Sequence, residues 1–205
     1  MKYNGPKARR CRRHGMNLYV ADKYDRILQR KPYGPGKNAK TRSGRDSEYA
    51  KQLKEKQRAR DMYGLSEKQF ASLYKEATRT KGKTGDTMKQ LLEQRLDNAI
   101  YRAGFAMTRL QSRQFAGHGL FLVDDQRVTT PSYRLKPGQK VTIRSKTKDS
   151  PTIAAILERH EKYLPPKWMK INPASRTIEV IAVPGPEDAE QAVDMRLVVE
   201  FYSRT

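Results

Sequence analysis

The sequence predicts an α+β protein with an irregular basic N-terminal arm, helices through the first half and short strands after them. Three observations carry that expectation. The stretch from Glu93 to Gly117 keeps a helical apolar period that is interrupted once by a glycine turn. Short apolar runs separated by Asp-Asp and Pro-Gly follow it, as strands and turns do. Ahead of both, Lys, Arg, Gly and Pro crowd the first 45 residues with few apolar anchors.

The chain has 205 residues, room for one large domain or two small ones. Its net charge is +21 and its hydrophobic content 36%, so a core exists but is modest. Positive charge of that size calls for a polyanion, either nucleic acid or an anionic membrane. No apolar run approaches the roughly 20 residues that span a bilayer, and the N-terminus lacks the apolar region of a signal peptide. A single cysteine, Cys11, excludes an internal disulfide framework and fits a reducing compartment, the cytoplasm or an organelle's interior. The charge is uneven. Residues 1–60 carry 19 Lys/Arg against 5 Asp/Glu, residues 61–150 carry 17 against 9, and residues 151–205 carry 7 against 8. The polyanion is therefore expected on the first three quarters.

Taken in order, residues 1–45 read as an arm that orders on its target, with Arg9, Arg10, Arg12 and Arg13 placed to grip phosphates. Leu18, Tyr19, Tyr24, Ile27 and Leu28 suit one short helix within it. A helix is expected from Ser47 to Tyr63; its apolar face is thin, and Lys54, Lys56 and Arg58 are assigned to a nucleic-acid face. Ser66 and Gln69 form a capping box for the next helix, whose stripe Phe70, Leu73, Tyr74 and Ala77 is core. The linker at 81–86 leads into the central helix, which carries Leu92, Leu96, Ala99, Ile100 and Ala103 and ends at Gly104. Thr108 caps a second helix, with Gln111 completing a capping box, and this helix stops at Gly117. Strands are expected at 120–123 and 141–143. A helix begins at Pro151, with Ile153, Ile156, Leu157 and His160 on one side. Trp168 and Ile171 are core anchors, and 177–183 and 197–202 read as strands.

Motifs along this frame are dense: R-L-D-N at 95–98, Y-R-A-G-F-A at 101–106, T-R at 108–109, R-Q at 113–114, His118-Gly119 and P-S-Y at 131–133. They extend through L-K-E-K-Q at 53–57, Y-G at 63–64, K-Q-F at 68–70, Y-K-E-A at 74–77, L-L-E at 91–93 and V-V-E-F-Y-S-R at 198–204. The central stretch resembles the S-four RNA-binding domain. Nearly the whole chain resembles the bacterial-type small-subunit ribosomal protein family S-four. Asp124-Asp125 stands where that family usually has an Asn-Gly-type turn, and P-G-K-N-A at 35–39 replaces its usual P-G-Q-H-G.

The resemblance implies an S-four domain at 94–150, a helix-turn-helix followed by a small, mostly antiparallel sheet. It implies that this domain is inserted into a mainly helical first domain made of 46–93 and 151–205. It further implies binding to small-subunit, 16S-type rRNA at a 5′-domain junction, nucleation of the subunit body and a contribution to translational accuracy. Ribosomal protein S-five is the implied neighbour. The matching basic loop, with Lys37, Lys40, Arg42 and Arg45, lies in relatives near the channel by which mRNA enters. The RNA surface is expected from Arg95, Arg102, Thr108, Arg109, Ser112, Arg113, Gln114, His118 and Arg127, which suit recognition through phosphates and 2′-hydroxyls.

Catalytic chemistry is not expected. Gly82-Lys83-Thr84 ends like a phosphate loop, but Ala77 stands where the loop's first glycine belongs. Cys11 and His14 have a ligand spacing without the further ligands that a closed zinc site needs. No metal, cofactor, small-molecule substrate or membrane is therefore expected. Two rivals remain: another S-four-domain RNA-binding protein, such as a pseudouridine synthase, and a DNA-binding helix-turn-helix regulator. The first needs a catalytic domain for which the 55 residues after Ser150 are too few. The second needs a dimerisation segment, and the basic residues spread well beyond one groove-reading helix.

Overall fold

The computed structural model describes residues 3, 5–36, 46–145, 150–159, 164–172 and 175–204. The chain forms two compact units: Met1–Gly85 with Gln191–Thr205, and Asp86–Glu190. Two strands after residue 150 complete the sheet of the second unit.

The first unit corrects the expectation of an irregular arm. Helices α1 (Lys7–His14) and α2 (Asp22–Arg30) occupy much of it. Gly15, at φ 67°, gives α1 a left-handed cap, and Arg12, Arg13 and His14 sit at its negative end. Cys11 and His14 form the buried face of α1, and Leu18, Tyr19 and Tyr24 are buried as well. The Tyr19 and Tyr24 rings meet at 5.5 Å between centroids. Few apolar residues are needed because most of them point inward.

Helix α3 (Glu48–Met62) starts at Ser47, whose hydroxyl accepts from Ala50 N–H, and α4 (Glu67–Arg79) starts with the expected Ser66–Gln69 capping box. Phe70, Leu73 and Ala77 are buried. The segment expected as a strand at 197–202 is helix instead. Here α9 (Met195–Ser203), capped by the Asp194 carboxylate, buries Met195, Val198 and Phe201. It lies along α3, where Gln52 Nε2 donates to Glu200 Oε2 at 2.9 Å and Tyr49 meets Phe201. Tyr202 stacks on Tyr74 at 4.8 Å and donates its hydroxyl to Glu67 at 2.7 Å. A helical spacing of three and four residues outweighs the β-branched composition of that run.

Helix α5 (Thr84–Glu93) begins inside the expected linker and ends before Arg95. The single helix expected through residue 103 is broken there. Leu135 N–H bonds to Gln94 C=O, and Arg95 pairs with Arg134 in an isolated antiparallel bridge. Helices α6 (Leu96–Arg102) and α7 (Arg109–Gly117) then pack together across a turn in which Gly104 takes φ 73°. The Thr108 hydroxyl accepts from Gln111 N–H, while the Gln111 side chain reaches back to Met107 N–H rather than to the cap's own.

A five-stranded antiparallel sheet follows, in the order β2-β1-β3-β5-β4. Its strands are β1 (Phe121–Val123), β2 (Gln126–Arg127), β3 (Lys140–Ile143), β4 (Met169–Asn172) and β5 (Thr177–Val180), with α8 (Pro151–Arg159) between β3 and β4. Phe121, Val123, Val141, Ile143, Ile178 and Val180 alternate inward and close a core with Leu96, Ile100, Phe105, Ala116 and Trp168. The strand expected to run to residue 183 stops at Val180, leaving Ile181 and Val183 exposed. Strand β4 was not expected. His160 lies outside the described residues.

Candidate nucleic-acid interface

Cations on α6 and α7 are held from behind by buried carboxylates. Glu93, fully buried, accepts Arg102 Nε and NH2 at 3.0 and 3.1 Å and Asn98 Nδ2 at 2.7 Å. Asn98 turns its carbonyl oxygen to Arg109 Nε at 2.9 Å, and Arg109 NH2 reaches Glu190 at 2.8 Å. The Arg109 guanidinium also lies 4.4 Å from the Tyr101 ring centroid. Burial pushes Glu190 up, but Arg109 and Arg102 more than offset it and hold the carboxyl below its ordinary range. Asp97, also buried, takes Arg95 bidentately at 3.0 and 2.7 Å and Arg113 at 3.1 Å. Each fork is thereby fixed in direction, as bidentate pairs do best.

Exposure separates the expected contact residues. Gln114, His118 and Arg127 are exposed, and the Arg113 side chain keeps 26% of its surface. Arg127 donates to His118 C=O at 3.0 Å and covers Gly119, where a Cβ would run into its guanidinium. Gly119 takes φ 66°, so glycine serves both backbone and packing. Arg102 and Arg109 are largely covered, at 16% and 9%. Arg95 and Ser112 are corrected from surface to interior; Ser112 donates to Arg109 C=O. Thr108 spends its hydroxyl oxygen on the helix cap. Glu93, Asp97, Asn98 and Glu190 escaped the sequence reading. Their partners lie 2 to 88 positions away, and spacing carries no sign of such pairing.

In the first unit, Arg9 and Arg13 are exposed, while Arg12 donates to Tyr33 and Gly34 C=O. Arg10 pairs with Asp61 at 3.2 Å. Lys54 stays on the surface. Lys56 does not: it is buried, bonds Glu67 at 2.8 Å and lies over the Phe201 ring. Arg58 pairs with Glu55 one turn earlier on α3. Lys37, Lys40, Arg42 and Arg45 lie outside the described residues.

Cys11 is enclosed, and burial pushes its thiol up, away from the thiolate that metal binding or nucleophilic attack requires. His14 Nε2 faces Asp61 at 3.3 Å. Among the described residues no group of three or more His, Cys, Asp or Glu converges, and no helix is long and apolar enough to cross a membrane.

Residues 2–93 match the family described as ribosomal protein S4/S9 N-terminal domain, and residues 94–141 match the S4 domain. Among curated proteins, the chain is 42% identical over 209 residues to small ribosomal subunit protein uS4 of Natranaerobius thermophilus. It is 43% identical over 203 residues to that of Cutibacterium acnes, and 40% over 209 residues to that of Thermus thermophilus. Each alignment covers 99% of both chains. The chain belongs to the uS4 family of small ribosomal subunit proteins.

Proposed function

We propose that this protein is a structural, non-enzymatic constituent of the small ribosomal subunit that binds small-subunit rRNA. The observation that carries the reading is the outward set Arg113, Gln114, His118 and Arg127, anchored on α7 and β2 over buried acids. Such a surface meets phosphates and 2′-hydroxyls with little reorganisation, which is how RNA duplex is recognised. The exposed Arg9, Arg13 and Lys54 extend the positive field over the first unit. Arg95, Ser112, Lys56 and Arg58 position other groups.

The finer reading is a primary binder at a 5′-domain junction that nucleates the subunit body and supports accurate decoding. Ribosomal protein S-five is the proposed neighbour, mRNA the proposed visitor to the loop at 37–45, and the cytoplasm the proposed address. The test is binding to a 5′-domain rRNA fragment, against a scrambled RNA of equal length and duplex DNA, over a salt series. With six to ten phosphates engaged, affinity falls about 10³–10⁵-fold between about 50 and 200 mM salt. The junction fragment should keep its advantage throughout. Equal affinity for all three would reduce the interaction to bulk charge and sink the rRNA reading.

A further inference from the structure

On the first unit, α1 and the end of α3 enclose a pocket of about 220 Å³ lined by Tyr3, Arg9, Arg10, Arg13, Arg60 and Asp61. Four guanidinium groups face a single carboxylate there. Asp61 is buried and already committed. Its Oδ1 accepts Arg10 NH1 and Arg60 NH2, both at 3.2 Å, and its Oδ2 meets His14 Nε2. Arg60 is pinned a second time by Glu67 Oε2 at 3.1 Å. The Arg10 guanidinium lies 3.6 Å from the Tyr3 ring centroid. This wall is rigid before any ligand arrives.

Arg9 and Arg13 complete the lining. They are one turn apart on α1 and exposed, and their side chains have no hydrogen-bond or ion-pair partner among the described residues. The lining thus has an excess of positive charge that its own acid does not neutralise. The space is smaller than the roughly 300 Å³ at which small-molecule sites begin, so it suits a compact anion rather than a whole nucleotide. Guanidinium forks pair with carboxylate and phosphate alike, and the excess positive charge of this lining favours the more highly charged phosphate.

We propose that this pocket is a binding site for one phosphate group, held by Arg9 and Arg13 against the wall of Arg10, Arg60 and Tyr3. Occupancy ties α1 to α3. The proposal rests on the RNA-binding reading only for the bearer of the phosphate, the rRNA backbone; inorganic phosphate presents the same chemistry and is the probe.

The test is thermal unfolding of the full chain in rising inorganic phosphate, with chloride adjusted to hold ionic strength and pH constant. A saturable rise in midpoint is expected. Arg9→Ala/Arg13→Ala should abolish it, and Arg9→Lys/Arg13→Lys should weaken it by removing the forks. Arg26→Ala/Arg30→Ala, which removes two exposed charges from α2, should leave it intact. Circular dichroism checks that each variant keeps the wild-type helix content. Absence of a saturable rise, or an equal rise in Arg9→Ala/Arg13→Ala, overturns the proposal whatever RNA does. A second arm compares the salt slope of the rRNA fragment for wild type and Arg9→Ala/Arg13→Ala. A loss of about 0.9 in slope per released contact assigns the pocket to a backbone phosphate. An unchanged slope with the phosphate effect intact assigns it to free phosphate. Phosphate stabilisation without any preference for the junction RNA keeps the pocket and sinks the rRNA reading alone.

Discussion

Arg102 closes on Glu93 with two hydrogen bonds, and Glu93 presents no surface to solvent. Glu93 is the last residue of α5 and Arg102 the last of α6, so the pair spans the break at Arg95 and fixes the angle between the helices. Asn98, bonded to the same carboxylate, passes the constraint to Arg109. Glu93→Ala frees Asn98 and removes both short hydrogen bonds of Arg102, which then faces Glu190 at 3.6 Å. It should lose about 3 kcal/mol, the lower end of what breaking a buried pair costs, because Arg102 keeps some exposure. Urea unfolding measures this. A wild-type midpoint would mean that the pair holds nothing.

Arg109 and Arg127 should respond differently to alanine. Arg109 is bonded to Asn98 and Glu190, so Arg109→Ala should lower stability by about 1–3 kcal/mol as well as weaken RNA binding. Arg127 is exposed, and Arg127→Ala should change stability by no more than about 0.5 kcal/mol while lowering the RNA salt slope by about 0.9. Paired unfolding and binding curves separate the two. An unchanged slope for Arg127→Ala would remove β2 from the RNA surface.

What the sequence made legible follows from the range of the physics involved. Caps at Ser66 and Thr108, the turn at Gly104 and the strand at 120–123 are local, and all were readable. The tail at 197–202 was misread because a short β-branched and aromatic run fits a strand or a buried helix equally well; only the packing of Val198 and Phe201 decides it. The arm was misread because burial of Cys11 and His14 shows no apolar stripe. The site was half legible. Which residues are cationic is plain, but Arg95 and Arg113 share Asp97, and Lys56 is turned inward by Glu67. Those are distances through space, and a solvated arginine and a buried one look alike in sequence.

Acid should destabilise the protein through three carboxylates. Burial pushes Asp61 up, but His14, Arg10 and Arg60 more than offset it. Glu67 behaves likewise under Lys56, Tyr202 and Arg60, and Glu190 under Arg109 and Arg102. All three lie below their ordinary values in the folded state. The unfolded chain therefore binds more protons in that window, and stability rises with pH across it. The contribution is complete above the ordinary carboxylate range near roughly 4 and is lost as pH falls through the lowered values. Urea midpoints from pH 7 to pH 3, in phosphate-free buffer, should drop at the acid end. Asp61→Asn should be less stable at pH 7 and show a shallower acid drop; an equal drop would place the dependence elsewhere.

The hairpin between β1 and β2 turns on Asp124 and Asp125, with φ of 48° and 64°, both in the left-handed region that glycine and asparagine prefer. The two residues are not equivalent. Asp124 Oδ1 accepts Lys140 N–H and its Oδ2 accepts Gln139 Nε2, both at 2.9 Å, so its side chain compensates its backbone. Asp125 is exposed and has no such bond among the described residues. A left-handed residue with a Cβ costs about 1–2 kcal/mol, part of which glycine returns as lost chain entropy. Asp125→Gly should therefore raise stability by about 0.5–1 kcal/mol. Asp124→Gly, which removes two bonds, should lower it by about 1 kcal/mol. Denaturation midpoints of the two variants read the difference directly. If Asp124→Gly proved the more stable, backbone strain would outweigh the bonds from Lys140 and Gln139, and the turn would be held by the strand pairing alone.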